Sequence, residues 1–156
     1  MRLFLSQYTN KIDVKGRVSV PADFRTSLKT EFFSGIIAFR SYKFKAIEGL
    51  DFERMKEIAD SIDNLDFFSE SKNDLATTIL SDSYKIPFDG EGRIRLPEEL
   101  IKFAGISKLV TFVGRGSTFQ IWDPKTYQDF LSKTRNNIKN KKLSLKINIR
   151  EKNEEK

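Results

Sequence analysis

The chain of 156 residues contains no cysteine and no histidine. Without thiols it has neither a disulfide framework nor thiolate chemistry, which fits a cytosolic protein. Without imidazole, the commonest general base and the commonest transition-metal ligand are both missing. Zinc sites built on His or Cys, and Ser-His or Cys-His catalysis, are thereby excluded. No run of about 20 apolar residues occurs, so no membrane-spanning helix is expected. Met1–Ser6 is basic and only briefly apolar, too short for a signal-peptide core. Proline is scarce, at four residues, and two of the four mark corresponding places in a repeat described below.

A hydrophobic content of 38% with 14 Phe supports a packed interior and argues against disorder. The length suits one domain or two small modules that share a core. The net charge of +6 resembles a nucleic-acid footprint, but its location matters more than its sum. From Ser132 onward there are nine Lys/Arg and three Asp/Glu, and the rest of the chain is neutral, with 19 of each sign. Any basic face on that remainder must therefore be local.

Asp13-Val-Lys-Gly-Arg-Val-Ser-Val-Pro21 returns as Asp89-Gly-Glu-Gly-Arg-Ile-Arg-Leu-Pro97. The two stretches agree at Asp13/Asp89, Gly16/Gly92, Arg17/Arg93 and Pro21/Pro97, and both are aliphatic at Val18/Ile94 and Val20/Leu96. Each glycine stands where the chain must turn back, a place that favours φ > 0. The residues after it alternate like a half-buried strand, and the proline then stops the ladder and suits a first helical turn. The repeated unit is strand, Gly turn, strand, short helix.

Around this repeat, the pattern predicts a helix over Pro21–Leu28 with Phe24 and Leu28 on one face, then strands at 35–40 and 43–47 joined across Ser41-Tyr42. Asp51 is a candidate N-cap for a helix carrying Phe52, Met55, Ile58, Ala59 and Ile62, and a second helix is expected at about 72–80. Phe32-Phe33 and Phe67-Phe68 read either as core or as subunit contacts. The second unit repeats the pattern, with alternation at Tyr84, Ile86 and Phe88, a helix from Pro97 to its Gly105 stop, and strands 109–113 and 118–122. Asp123-Pro124 opens a last helix through Tyr127, Phe130, Leu131, Thr134 and Ile138. Beyond Asn140, Leu143, Leu145, Ile147 and Ile149 alternate with polar residues as a lone strand would, but the segment reads better as a mobile basic extension.

Asp13-x-x-x-Arg17 and Asp89-x-x-x-Arg93, each followed by its proline, with Ile121-Trp122 closing the second unit, resemble the MraZ family. Members of that family carry two SpoVT/AbrB-type modules. The resemblance covers about residues 1–130. It implies an α+β fold with a mainly β core, in which two swapped-hairpin modules form a pseudo-two-fold β-barrel with flanking helices. The corresponding boundaries are 1–50 for the first module, 51–81 for a helical connector, 82–131 for the second module and 132–156 for the basic extension. The implied function is sequence-specific regulation of transcription by binding short repeats in the chain's own promoter, ahead of a division and cell-wall gene cluster. Family rings of about eight or more subunits would supply the avidity that one module lacks. The implied setting is cytoplasmic and nucleoid-associated, with double-stranded DNA and further copies of the chain as partners.

The residues support a division of roles. Lys15, Arg17, Arg93 and Arg95 place cations beside exposed turn amides, an arrangement that suits phosphate oxygens or a guanine edge. Arg25 is carried over from the family's spacing after Pro21, although its aligned partner is the apolar Ile101. Asp13, Gly16, Pro21, Asp89, Gly92 and Pro97 are assigned to shaping the turns. Glu91 in place of Lys15 makes the second turn less cationic, so the first is expected to make the stronger contacts. Asp89 with Glu91, or Asp13 with Lys15, resembles an acid–base pair only loosely. No phosphate-cradling loop or metal cluster accompanies either pair, so no enzyme, cofactor, metal, membrane or small-molecule substrate is expected. The alternative is an antitoxin or other protein-binding module of the AbrB fold. RNA binding is disfavoured, since no aromatic pair is placed for base stacking on adjacent strands.

Overall fold

Where apolar residues alternate the chain pairs as strands, and where they recur every three or four positions it coils, as seen in the computed structural model, which describes residues 2–143 and 145. The strands are β1 (Gln7–Lys11), β2 (Arg17–Ser19), β3 (Gly35–Arg40), β4 (Ile47–Leu50), β5 (Tyr84–Pro87), β6 (Arg93–Arg95), β7 (Leu109–Gly114) and β8 (Phe119–Trp122). The helices are α1 (Ala22–Leu28), α2 (Phe52–Asp63), α3 (Glu70–Leu75), α4 (Glu98–Ala104) and α5 (Pro124–Lys141). Among the described residues no helix is long and apolar enough to cross a membrane.

The structure is α+β. Six antiparallel strands form one sheet in the order β1-β7-β8-β4-β3-β5, and β2 pairs with β6 in a separate two-stranded ribbon. Strands are exchanged between the repeats: β1 pairs with β7, and β5 pairs with β3. The expected closed barrel is not found among the described residues. Each ribbon strand is three residues long and directs its ladder to the other ribbon strand, leaving, among the described residues, one isolated bridge, Ile12↔Val18, between the first hairpin's arms beyond the turn itself. The ribbon instead lies against the inner face of the open sheet.

That inner face carries the main core. Ile36 and Ala38 of β3, with Val110 and Phe112 of β7, meet Val18 and Ile94 of the ribbon, Phe24 and Leu28 of α1, and Leu100 and Ala104 of α4. Phe24 lies at its centre, with ring centroids 5.1 Å from Phe4, 5.4 Å from Phe119 and 5.6 Å from Tyr8. The alternate residues of the same strands face outward. There Ile37, Phe39 and Leu50 are covered by α2, while Val113, Ala46 and Trp122 are covered by Tyr127 and Phe130 of α5. The Trp122 ring stacks on Phe130 at 5.0 Å and 18°, and its Nε1 donates to Gln120 Oε1 at 2.9 Å.

Several expectations shift in detail. Residues 41–46 form a loop and the strand begins at Ile47, because Phe44 leaves the sheet to pack on Trp122 and Phe130. The connector's second helix starts at Glu70 on a Ser69 cap and ends in a π-helical turn, where Ser81 N donates to Ala76 O at 2.9 Å. Phe67 and Phe68 are exposed, at 74% and 90%, so they are not core within the chain; Phe32 is likewise exposed, while Phe33 packs against Phe52. Helix α5 continues to Lys141, three residues past the expected Ile138. The alternation at Ile147 and Ile149 lies outside the described residues.

Candidate nucleic-acid interface

Both repeated turns are built by one carboxylate. Asp13 Oδ1 accepts from the amides of Lys15 at 3.0 Å and Arg17 at 2.9 Å, while Oδ2 accepts from Arg17 Nε at 2.7 Å. Asp89 does the same, with the amides of Glu91 at 2.8 Å and Arg93 at 2.9 Å and with Arg93 Nε at 2.9 Å. These bonds need the carboxylate form. The Arg17 amide, aided by its side chain and the Lys15 amide, holds Asp13 below its ordinary pKa. Asp89 is lowered by the matching contacts at Arg93, and the Arg93 guanidinium is raised by its bond to Asp89.

The glycines complete the turns at φ +84° for Gly16 and +74° for Gly92. Their carbonyls then tie each turn to the other repeat. Leu96 N donates to Gly16 O at 2.9 Å, and Val20 N donates to Gly92 O at 3.3 Å. Pro21 and Pro97 end the ribbon strands just before α1 and α4, where each proline carbonyl accepts from the amide four residues on, at 3.0 and 3.1 Å. Two open clefts result, of about 710 and 840 Å³, each between one turn and the helix of the other repeat. The first is lined by Lys15, Gly16, Arg95 and Ile101, the second by Arg25, Asp89, Glu91 and Gly92.

All the residues assigned to binding lie on or beside this ribbon. With Val18 opposite Ile94 and both buried, alternation turns Arg17, Ser19, Arg93 and Arg95 to the other side. Arg17 stands directly across from Arg95, and Ser19 across from Arg93. The Arg17 Nη atoms make no hydrogen bond to another described residue, so Asp13 orients the guanidinium by Nε and leaves its outer edge open. Arg93 is more occupied, since Glu91 also approaches its Nη2 at 3.4 Å. Arg95 Nε donates to the Lys15 carbonyl at 3.0 Å, across the two repeats. Arg25 belongs to the second turn and not to its own, because its Nη1 lies only 2.1 Å from where a Cβ on Gly92 would be. Its counterpart Ile101 covers Gly16 in the same way, which explains how an apolar residue occupies that place.

Sequence reasoning missed the clefts themselves, since they arise only from the exchange of strands. It also missed Asn10, whose Nδ2 donates to Ser19 O at 2.7 Å and braces the ribbon against β1. Among the described residues no group of three or more His, Cys, Asp or Glu is placed to hold a metal.

The chain is 44% identical over 144 residues to the "Transcriptional regulator MraZ" of Pelagibacter ubique (strain HTCC1062), a match covering 92% of this chain and 93% of that one. It belongs to the MraZ family. Proteins of the same name from Rickettsia rickettsii (strain Sheila Smith) and Rickettsia bellii (strain OSU 85-389) are 39% and 40% identical over 146 and 147 residues. Each of these matches covers 94% of this chain and 98% of the relative. The family model for the MraZ protein, described as antitoxin-like, matches residues 79–146, which include the second Asp-x-x-x-Arg turn. MraZ membership therefore extends across both repeated turns, because the relatives align over nearly the whole chain.

Proposed function

We propose that the chain is a sequence-specific DNA-binding regulator of transcription. The carrying observation is the ribbon. Two guanidiniums directly opposite each other repel, and like charges across a strand pair destabilise it. The arrangement is readily understood if a polyanion lies over that face. A two-stranded ribbon fits the major groove, and an Arg oriented through Nε presents its free edge to guanine O6 and N7. The names of the MraZ relatives support the same reading.

In this reading Lys15, Arg17, Arg25, Arg93 and Arg95 contact DNA, while Asp13, Gly16, Pro21, Asp89, Gly92 and Pro97 hold the turns. Residues 1–50 and 82–131 act as two AbrB-like modules in a pseudo-two-fold arrangement, with 51–81 as their helical connector. The sheet order supports this arrangement, since it reads the same from either end when each strand is exchanged for its repeat counterpart. Several copies, in a ring of about eight or more, occupy short promoter repeats upstream of a division and cell-wall gene cluster and obstruct or recruit polymerase. The setting is the cytoplasm and the nucleoid.

Fluorescence anisotropy tests this with a duplex from the chain's own upstream region and a scrambled duplex at two salt concentrations. The wild type binds the upstream duplex more tightly, and Arg17→Ala with Arg93→Ala abolishes the preference while the protein stays folded. Equal weak binding to both duplexes, unchanged in the variant, would overturn the reading. A protein-binding module, such as an antitoxin, is the second reading, favoured by the exposed Phe67-Phe68 pair and the family's description. A toxin gene next to this one, and capture of its product by the purified chain, would support it.

A further inference from the structure

The two ends of the ribbon are equivalent in backbone but not in charge. Ile12 N donates to Lys108 O at 3.0 Å beside the first turn, and Phe88 N donates to Ser34 O at 3.0 Å beside the second. Lys11 pairs with Leu109, as Pro87 pairs with Gly35. With the repeats matched by these bonds, Lys11, Lys15, Arg95, Lys102 and Lys108 at the first end correspond to Pro87, Glu91, Ser19, Thr26 and Ser34 at the second. Every cation of that set is replaced by a neutral or acidic residue. The reverse exchange occurs at Arg25 and Lys29, whose counterparts are Ile101 and Gly105.

We infer that Lys102 and Lys108 form a basic rim around the first cleft that grips the DNA phosphate backbone next to the base-reading turn. Lys102 lines the cleft with Lys15 and Arg95, and Lys108 follows the lining residue Ser107. Lys11 stands apart from this rim, since Asn10 and Ile12 face the ribbon and alternation turns Lys11 to the other side of β1. The acids there are Asp13, already engaged by Arg17, and Glu98, which Lys102 Nζ approaches at 3.1 Å in a pair with both side chains largely exposed. Such a solvated pair is weak and yields readily to a phosphate. The rim lysines carry charge without a planar fork, which suits phosphate positioning and not base reading. The second end has Arg25 and Lys29 in place of this rim and the acid Glu91 in its turn, so the first end makes the stronger phosphate grip.

This inference rests on the DNA-binding reading, and the experiment separates the two. Salt titrations of the upstream and scrambled duplexes are followed by anisotropy for the full chain. The variants are Lys102→Gln/Lys108→Gln, a control with the same charge loss on α5 at Lys133→Gln/Lys139→Gln, and Arg17→Ala. Circular dichroism checks that each is folded. The rim variant is expected to weaken both duplexes by about ten-fold and to flatten the slope of log K against log salt by about 2, keeping the preference for the upstream duplex. Arg17→Ala loses that preference. An unchanged slope in the rim variant, or an equal change in the α5 control, overturns the rim while leaving the DNA reading intact. Absence of duplex binding by the wild-type chain overturns both.

Discussion

Gly16 and Gly92 hold equivalent left-handed positions, yet their surroundings assign different outcomes to the same substitution. A Cβ on Gly16 would lie 2.8 Å from the Leu96 carbonyl oxygen and 3.3 Å from Ile101 Cδ1. Leu96 also donates its amide to the Gly16 carbonyl at 2.9 Å, so relieving the clash displaces the ribbon. Left-handed strain on an L-residue costs about 1–2 kcal/mol and a weakened ribbon hydrogen bond about 1 more, placing Gly16→Ala at about 2–3 kcal/mol. The three atoms that a Cβ on Gly92 would meet first all belong to the Arg25 side chain, which can swing aside. Gly92→Ala should therefore lose only the strain, about 1–2 kcal/mol. Its further effect is to move Arg25, so it should lower DNA affinity in the wild-type background and leave it unchanged in an Arg25→Ala background. Urea unfolding with a common m-value measures the first pair of numbers, and anisotropy with the upstream duplex measures the second. Equal losses of stability, or a larger loss at Gly92, would refute the reasoning.

Because Asp13 and Asp89 are held below their ordinary pKa, the stability they contribute is fully present above about pH 4 and is lost as pH falls through the lower folded values. The melting midpoint of Asp13→Asn/Asp89→Asn should thus trail the wild type by a constant margin from pH 8 to about pH 5, with the gap closing in stronger acid. A gap that widens below pH 4 contradicts this. Phe24→Ala empties the centre of the aromatic cluster and is expected to cost about 3–5 kcal/mol in urea unfolding. Trp122→Phe keeps most of the stacking on Phe130 but leaves the Gln120 oxygen without its donor, at about 1–3 kcal/mol by the same assay. A loss below a few tenths of a kcal/mol would mean that Gln120 finds another partner.

The repeated turn was legible because its demands are local. An acid four residues before an arginine, with a glycine between them, specifies a carboxylate that closes the loop and a residue at positive φ, and both are found. The caps at Asp51 and Asp123 and the stop at Gly105 are local in the same sense. The loop at 41–46 was misread because Phe44 and Ala46 alternate with Lys43 and Lys45 as a strand would, while the partner that removes Phe44 from the sheet is Trp122, distant in sequence. The same limit hid the place of Arg25. Nothing near Pro21 indicates that its guanidinium lies over Gly92, because that contact depends on the two ribbon strands crossing between the repeats. Closure of the sheet likewise depends on where three-residue strands direct their amides, which alternation does not encode.

The exchange of strands also affects how the chain is made. Gln7 pairs with Val113, so β1 has no β7 partner until about a hundred further residues have been added. At ordinary rates of synthesis that delay is about 5–20 s. Throughout it the edge of β1 and the ring of Phe24 lack the β7 and β8 residues that later bury them. A message cut short before Leu109 would leave a nascent chain with an unpaired edge and an exposed aromatic cluster, a species suited to chaperone capture and to aggregation.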